Sequence, residues 1–114
     1  MKKVRHFINM LDYSDKEIKD LIDLAIKIKK NPKKYSKALQ GKSLGMLFQK
    51  TSTRTRVSFE AGMTQLGGHA IYLDWRNTNF TLGSIADEIK SLCRYVDGIM
   101  FRAYKNMDVV AATD

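Results

Sequence analysis

The residues with the clearest chemical potential are two arginines and three hydroxyl side chains in the run Ser52-Thr-Arg-Thr-Arg56. The run separates an apolar stretch from one with helical patterning, so we expect it at the start of a helix. The first amides of a helix have no partners within the helix and carry partial positive charge. Ser52, Thr53 and Thr55 add hydroxyl donors, and the planar guanidinium of Arg54 matches phosphate oxygens. These features predict a binding site for an anion or a phosphate.

The same run can also be interpreted as another phosphate motif or as a purely structural helix start. It is not a Walker A loop, because the glycine and lysine spacing of that motif is absent. Arg56 lies four residues before Glu60, which favours a structural ion pair on the helix surface. A well-capped helix with surface-paired arginines is the competing interpretation for Arg54 as well. The three hydroxyls at a helix N-terminus favour anion binding there.

A parallel α/β sheet with flanking helices is predicted to position these residues. The predicted strands are Ser43–Phe48, Ala70–Leu73 and Ile99–Arg102. A helix is expected after each of the first two strands, the first ending at Gly67-Gly68 and the second capped by Ser84. Strands that alternate with helices form parallel sheets, which bind ligands outside the carboxyl ends of their strands. The polar stretches Gln49–Arg56 and Arg102–Asn106 are therefore expected to share one face.

The ends of the chain also show helical patterning. Ser14 and Glu17 form a capping box for a helix predicted from about Asp15 to Lys30, which Asn31-Pro32 ends. A short helical stretch is predicted near Lys34–Leu39. Met107–Asp114 is expected to open a further helix.

The net charge of +8 is concentrated in the first 42 residues. These contain 12 Lys or Arg and five Asp or Glu, so they hold +7 of the total. A nucleic-acid binder could place such lysines along phosphates. A solvated helix face followed by a lysine-rich loop is the favoured interpretation, and we expect no nucleic-acid partner. The lysines are Lys27, Lys29, Lys30, Lys33, Lys34 and Lys37.

Composition places the chain among ordinary globular proteins. Its 114 residues fit one modest domain. No run of 18 apolar residues occurs, so no membrane helix is expected. Cys93 is the single cysteine, which points to a reducing, cytoplasmic location, and we expect it to be a small core residue within a helix. His69, at a predicted strand start, is expected to be structural.

The run Phe48–Glu60, followed by Gln65-Leu-Gly-Gly-His69, closely resembles the aspartate/ornithine carbamoyltransferase family. The Ser-Thr-Arg-Thr-Arg motif before Ser58-Phe-Glu60 is highly specific for that family. The resemblance continues through Arg94–Arg102 and covers nearly the whole chain. It is strongest to the ornithine branch, and it implies that residues 1–114 are a truncated carbamoyl phosphate-binding domain without the amine-substrate domain.

The resemblance also implies an activity and residue roles. The family transfers the carbamoyl group of carbamoyl phosphate to an amine, and the ornithine branch forms citrulline and phosphate. Ser52, Thr53, Arg54 and Thr55 would hold the phosphate, Arg54 and Thr55 would polarise the carbonyl, and Arg102 would complete the clamp. No metal or organic cofactor is implied.

The chain departs from the family in the loop 74–83, which in family members reaches the neighbouring active site of a homotrimer. Neither the glutamine nor the lysine typical of that loop is present, and Thr78 and Asn79 are the candidates to replace it. The missing lysine argues against aspartate as the amine; putrescine stays an alternative to ornithine. The family's amine-binding motifs would follow Asp114, so we expect these 114 residues to be inactive alone.

Overall fold

The computed structural model describes residues 5–78 and 82–104. Three parallel strands and three α-helices form the framework. In chain order they are α1 (Asp15–Lys30), β1 (Ser43–Phe48), α2 (Thr53–Gln65), β2 (His69–Asp74), α3 (Ile85–Leu92) and β3 (Gly98–Arg102). Short 3₁₀ helices lie at Met10–Asp12, Pro32–Tyr35 and Trp75–Asn77. The predicted parallel α/β architecture is confirmed.

The sheet has the order β2-β1-β3, so β1 is its central strand. Ser43 pairs with His69 at one end of the β1–β2 ladder, and Leu44 pairs with Gly98 in the β1–β3 ladder. At the carboxyl end, Phe48 lies opposite both Asp74 and Arg102. This common level places the segments that follow the three strands at one edge of the sheet.

The central strand is buried on both faces, which explains its continuous apolar sequence. Met46, Leu47 and Phe48 are almost completely inaccessible to solvent. Leu47 packs with Ile89 of α3 in the core, and Trp75 and Phe101 lie against the same cluster with nearly parallel rings 6.1 Å apart. The further members of the cluster are Leu73, Ile85, Leu92 and Ile99. Trp75 is therefore part of the packing around the core. Helix α3 packs against β1, the strand that leads to the candidate site.

Helix α1 begins with the predicted capping box. The Glu17 amide donates to Ser14 Oγ, and the Ser14 amide donates to a Glu17 carboxylate oxygen. Arg5 forms an ion pair with the same carboxylate. The described residues leave much of the apolar face open, because Leu21 and Ile22 are each about half exposed.

Acid is expected to loosen the start of α1 through Glu17. Hydrogen bonds from the Arg5 side chain and the Ser14 backbone lower the pKa of the Glu17 carboxyl from 4.5 to about 2. A lowered pKa in the folded state stabilises the fold above pH 4.5, and this stabilisation is lost as the pH falls towards 2. An NMR titration should show the Ser14 and Glu17 amide signals changing in that window. Glu17→Gln should abolish the change, whereas a carboxyl that titrates near 4.5 would contradict this arrangement.

Two sequence predictions are wrong in detail, and one lies outside the described residues. The short helical stretch is a 3₁₀ helix at Pro32–Tyr35, not a helix near Lys34–Leu39, because proline favours the first turn and successive turns then lead to Gly41. Cys93 is exposed, because it follows the last helical residue of α3 and caps that helix. The helix expected at Met107–Asp114 falls on residues that the structure does not describe.

Two glycines make the turn from α2 into β2, as the sequence predicts. Gly67 has a φ of +86°, and its amide donates to Thr64 O while the Gly68 amide donates to Met63 O. A Cβ on Gly67 would lie 2.6 Å from the carbonyl oxygen of Ser36. This junction consequently packs directly against the backbone of the segment that precedes β1.

Candidate anion-binding site

The candidate site lies where the chain leaves β1 and enters α2. Ser52 is the N-cap of α2 and has an extended backbone. The Thr55 amide donates to Ser52 Oγ at 3.3 Å, and Ser52 Oγ donates to Thr55 Oγ1 at 2.8 Å. Because the Ser52 hydroxyl hydrogen is used in that bond, the Thr55 hydroxyl keeps its own hydrogen for another acceptor. The cap therefore orients one hydroxyl donor at the helix N-terminus.

Arg54 lies in the first turn of α2 and is exposed. Its guanidinium makes no ion pair or hydrogen bond with the residues of 5–78 and 82–104. No acidic residue occupies the first turn of this helix, so the partial positive charge of the helix end is uncompensated. An uncompensated cation beside free helix amides is the arrangement that binds a phosphate.

Arg56 has a different, structural environment, as its spacing predicts. Its Nε atom lies 3.4 Å from Glu60 Oε2, one turn further along the helix. Its guanidinium carbon also lies 3.7 Å from the centre of the Tyr72 ring. This ion pair and cation–π contact hold the start of α2 against β2. Arg56 is thereby separated in role from Arg54, although both belong to one motif.

Arg102 ends β3 and pairs with Phe48, the last residue of β1. Phe48 lies four residues before Ser52, the N-cap of α2. The Arg102 side chain is half-buried, and its Nε atom is buried without a hydrogen-bond partner in the described part of the chain. An unpaired buried donor is costly, so such a group is expected to acquire an acceptor. The parallel topology thus brings Arg102 to the edge that carries the Ser52–Thr55 cap.

Sequence reasoning missed an ion pair at the end of β2. Arg76 donates to Asp74 through Nη2 at 2.9 Å and through Nε at 3.2 Å, and its amide donates to the same carboxylate at 3.0 Å. These bonds, first of all that from the Arg76 side chain, lower the pKa of Asp74. The pairing compensates a carboxylate that would otherwise oppose anion binding at this edge. Only the two-residue spacing of opposite charges signals it in the sequence.

A polar cavity of about 140 Å³ lies at the same edge. Lys50 and Tyr104 face each other there, with the Lys50 ammonium 5.8 Å from the ring centre. The other lining residues are Phe48, Gln49, Thr51, Tyr72, Asp74 and Arg76. A larger groove of about 570 Å³ lies along α1, is mostly apolar and includes none of the predicted site residues. The polar cavity is not lined by Ser52–Thr55 or Arg102 either, but it lies at the sheet edge beside the cap, because Gln49, Lys50 and Thr51 directly precede Ser52.

The remaining predicted residues are placed as follows. The Thr78 hydroxyl donates to Trp75 O at 2.8 Å within the loop after β2, and Asn79 lies outside the described residues. His69 begins β2, at the end of the sheet opposite the cap, and its amide donates to Lys42 O. Within residues 5–78 and 82–104, no three His, Cys, Asp or Glu side chains are grouped as metal ligands would be. None of the helices in those ranges combines the length and apolarity needed to cross a bilayer.

The sequence profile described as "Aspartate/ornithine carbamoyltransferase, carbamoyl-P binding domain" matches residues 5–114. The chain belongs to this family. The match includes the cap Ser52–Thr55 and Arg102, so the resemblance predicted from the motif is confirmed. The family is enzymatic, and the part of it that matches is named for binding carbamoyl phosphate.

Individual carbamoyltransferases agree with this assignment. The ornithine carbamoyltransferase of Anoxybacillus flavithermus is 46% identical in an alignment of 111 residues that covers 94% of this chain and 35% of that protein. The solved ornithine carbamoyltransferase from Pyrococcus furiosus is 43% identical, with a TM-score of 0.85 over 96% of this chain and 36% of that one.

A solved N-acetyl-L-ornithine transcarbamylase, in complex with carbamyl phosphate and N-succinyl-L-norvaline, is 39% identical and has a TM-score of 0.77 over 88% of this chain and 33% of that one. The chain thus spans about a third of the length of the carbamoyltransferases it matches.

Proposed function

We propose that this chain binds carbamoyl phosphate and supplies that half of the active site in a carbamoyltransferase that uses ornithine as the acceptor. Citrulline and phosphate would be the products, which places the reaction in arginine metabolism. The observation that carries the proposal is that Arg54, uncompensated in the first turn of α2, and Arg102, whose buried Nε has no partner among the described residues, both follow strands that end at one edge of the sheet. The names of the ornithine carbamoyltransferases it matches support the acceptor.

The reaction explains why fixed donors are needed. The amine nitrogen forms a bond to the carbonyl carbon, the bond from that carbon to the bridging phosphate oxygen breaks, and a proton leaves the nitrogen. Negative charge develops on the carbonyl oxygen and on the departing phosphate. Donors already aimed at those atoms stabilise the transition state more than the ground state.

The residues divide this work by position. Ser52 and Thr53, at the helix end, hold the phosphate together with the free amides. Arg54 spans the phosphate and the carbonyl oxygen, and Thr55 donates its free hydroxyl hydrogen to the carbonyl. Arg102 closes the other side of the phosphate from β3. Lys50 adds positive charge at the same edge, while Arg76 compensates Asp74.

We infer that the groups that bind the amine come from outside these 114 residues. The chain spans only about a third of the length of the carbamoyltransferases it matches, which supports this inference. Ornithine is favoured, with putrescine or an N-acylated ornithine as alternatives of the same class. The loop with Thr78 and Asn79 would reach a neighbouring subunit of a cytoplasmic homotrimer, a state that light scattering of the purified protein would measure.

A chimera tests the proposed function. The chain would replace the matched third of the Anoxybacillus flavithermus ornithine carbamoyltransferase, and citrulline would be assayed with carbamoyl phosphate and ornithine. We expect turnover by the chimera and none by the 114-residue chain alone. The matched control is Arg94→Ala, which removes an exposed arginine before β3, at the opposite end of the sheet. A folded chimera that carbamoylates no amine would contradict the proposal.

Binding to nucleic acid is the second candidate, because the six lysines from Lys27 to Lys37 are all exposed and none forms an ion pair within the described ranges. Such binding would weaken steeply as salt rises. Three of these lysines lie in the last turn of α1 and three lie between α1 and β1, whereas the candidate site follows β1. We therefore expect a labelled single strand to show no salt-sensitive binding at physiological ionic strength.

A further inference from the structure

Gln49 holds the end of β3 to the start of the site loop through two hydrogen bonds. Its amide donates to Arg102 O at 2.9 Å, which extends the β1–β3 ladder by one bond. Its side-chain Oε1 accepts from the amide of Tyr104 at 2.8 Å. Gln49 therefore bonds to the chain at Arg102 and again two residues later.

The second bond matters because strand ends fray. Beyond Arg102 the described strand pairing stops, and Tyr104 is 70% exposed. Without the Gln49 side chain, the Tyr104 amide would exchange its partner for water, and Arg102 would become the last residue of the strand held by the ladder. The backbone of an arginine at such an end moves more freely than the backbone of one with fixed hydrogen bonds on both sides, so its guanidinium is held less firmly in position.

We propose that Gln49 is a positioning residue that orients Arg102 towards the anion held by the Ser52–Thr55 cap. This inference rests on the proposed function, since it assumes that Arg102 contacts carbamoyl phosphate. Gln49 lies three residues before Ser52, so one short segment contains both the cap and the side chain that bonds to the backbone just after Arg102. A displacement of a donor by about 1 Å is enough to lower binding and rate substantially.

The experiment is a double-mutant cycle on the 114-residue chain, with the Kd for carbamoyl phosphate measured by calorimetry. Gln49→Met keeps the side-chain length and removes the acceptor, and we expect it to raise Kd about fivefold to tenfold. Arg102→Met is expected to raise Kd further. In the Arg102→Met background, Gln49→Met should change Kd by less than twofold, because the residue through which it acts is gone.

Hydrogen exchange gives an independent readout. The Tyr104 amide should exchange faster in Gln49→Met than in the unaltered chain, while the buried Leu47 amide should not. Gln40→Met is the matched control, because Gln40 is exposed and precedes β1 at the other end of the sheet. Gln49→Asn, which withdraws the acceptor without removing the amide group, should reproduce the loss if the methionine variant does not fold.

Two results would overturn the inference. The first is that the Kd of Gln49→Met and of Gln49→Asn stays within twofold of the Kd of the unaltered chain. The second is that Gln49→Met raises the Kd by the same factor in the unaltered chain and in the Arg102→Met background. If Arg54→Ala still raises the Kd strongly, either result would exclude only the role of Gln49. Unchanged binding in Arg54→Ala would instead remove the proposed function itself.

Discussion

Replacing Arg54 with alanine is expected to raise the Kd of the chain for carbamoyl phosphate about 10- to 100-fold, because a charge-assisted bond to an anion contributes about 1.5–3 kcal/mol. In the chimera, turnover should fall by at least about 10³-fold, since the same guanidinium would also meet the charge that develops on the carbonyl oxygen. The fold should be retained, because Arg54 is exposed and has no ion pair within the described residues. Calorimetry and a citrulline assay measure the two effects.

Arg56→Ala and Arg94→Ala separate a specific role from a general loss of charge. Arg94→Ala should leave Kd and turnover within about twofold of the unaltered values, since a distant exposed charge is largely screened. Arg56→Ala should lower thermal stability through the lost contacts with Glu60 and Tyr72. Near-normal turnover in the Arg54→Ala chimera would contradict the assigned chemistry.

Substituting alanine for Gly67 is expected to lower the free energy of unfolding by about 2–4 kcal/mol, the range of a severe single substitution. Its φ of +86° disfavours any side chain, and the new Cβ would stand 2.6 Å from Ser36 O. That oxygen belongs to backbone, so relief requires the segment before β1 to move. Urea unfolding followed by circular dichroism measures the change.

Gly62 provides the opposite case, within the helix that precedes this turn. It lies within α2, and a Cβ there would meet nothing within 4 Å. Gly62→Ala should therefore raise the free energy of unfolding by about 0.5–1 kcal/mol, because alanine has the higher helix propensity. Equal effects of the two substitutions would show that the turn into β2 is less constrained than its geometry indicates.

The sequence was most informative where burial dictates residue type. The continuous apolar run of β1 predicts Ser43–Phe48, and the structure has the same bounds. The strand β2 extends one residue beyond the prediction at each end, because pairing with β1 continues through His69 and Asp74, which are not apolar. Backbone pairing, not side-chain pattern, decides those ends.

Patterns were less informative where contacts join distant residues. The helical spacing of α1 predicts its apolar stripe, yet spacing does not say what covers Leu21 and Ile22, which are about half exposed. The cap at Ser52 follows from local sequence, because its bonds span only three residues. The bond from Tyr104 to Gln49 spans 55 residues, so it depended on the register of β1 and β3 and had no local signal.

The most direct test of the central claim is an NMR titration of the 114-residue chain with carbamoyl phosphate, with inorganic phosphate as the comparison ligand. We expect saturable shifts in the amides of Ser52–Thr55 and in the Arg102 side-chain Nε–H, and the loss of these shifts in Arg54→Ala. Shifts confined to the lysines from Lys27 to Lys37, or saturable binding that Arg54→Ala leaves unchanged, would contradict the claim.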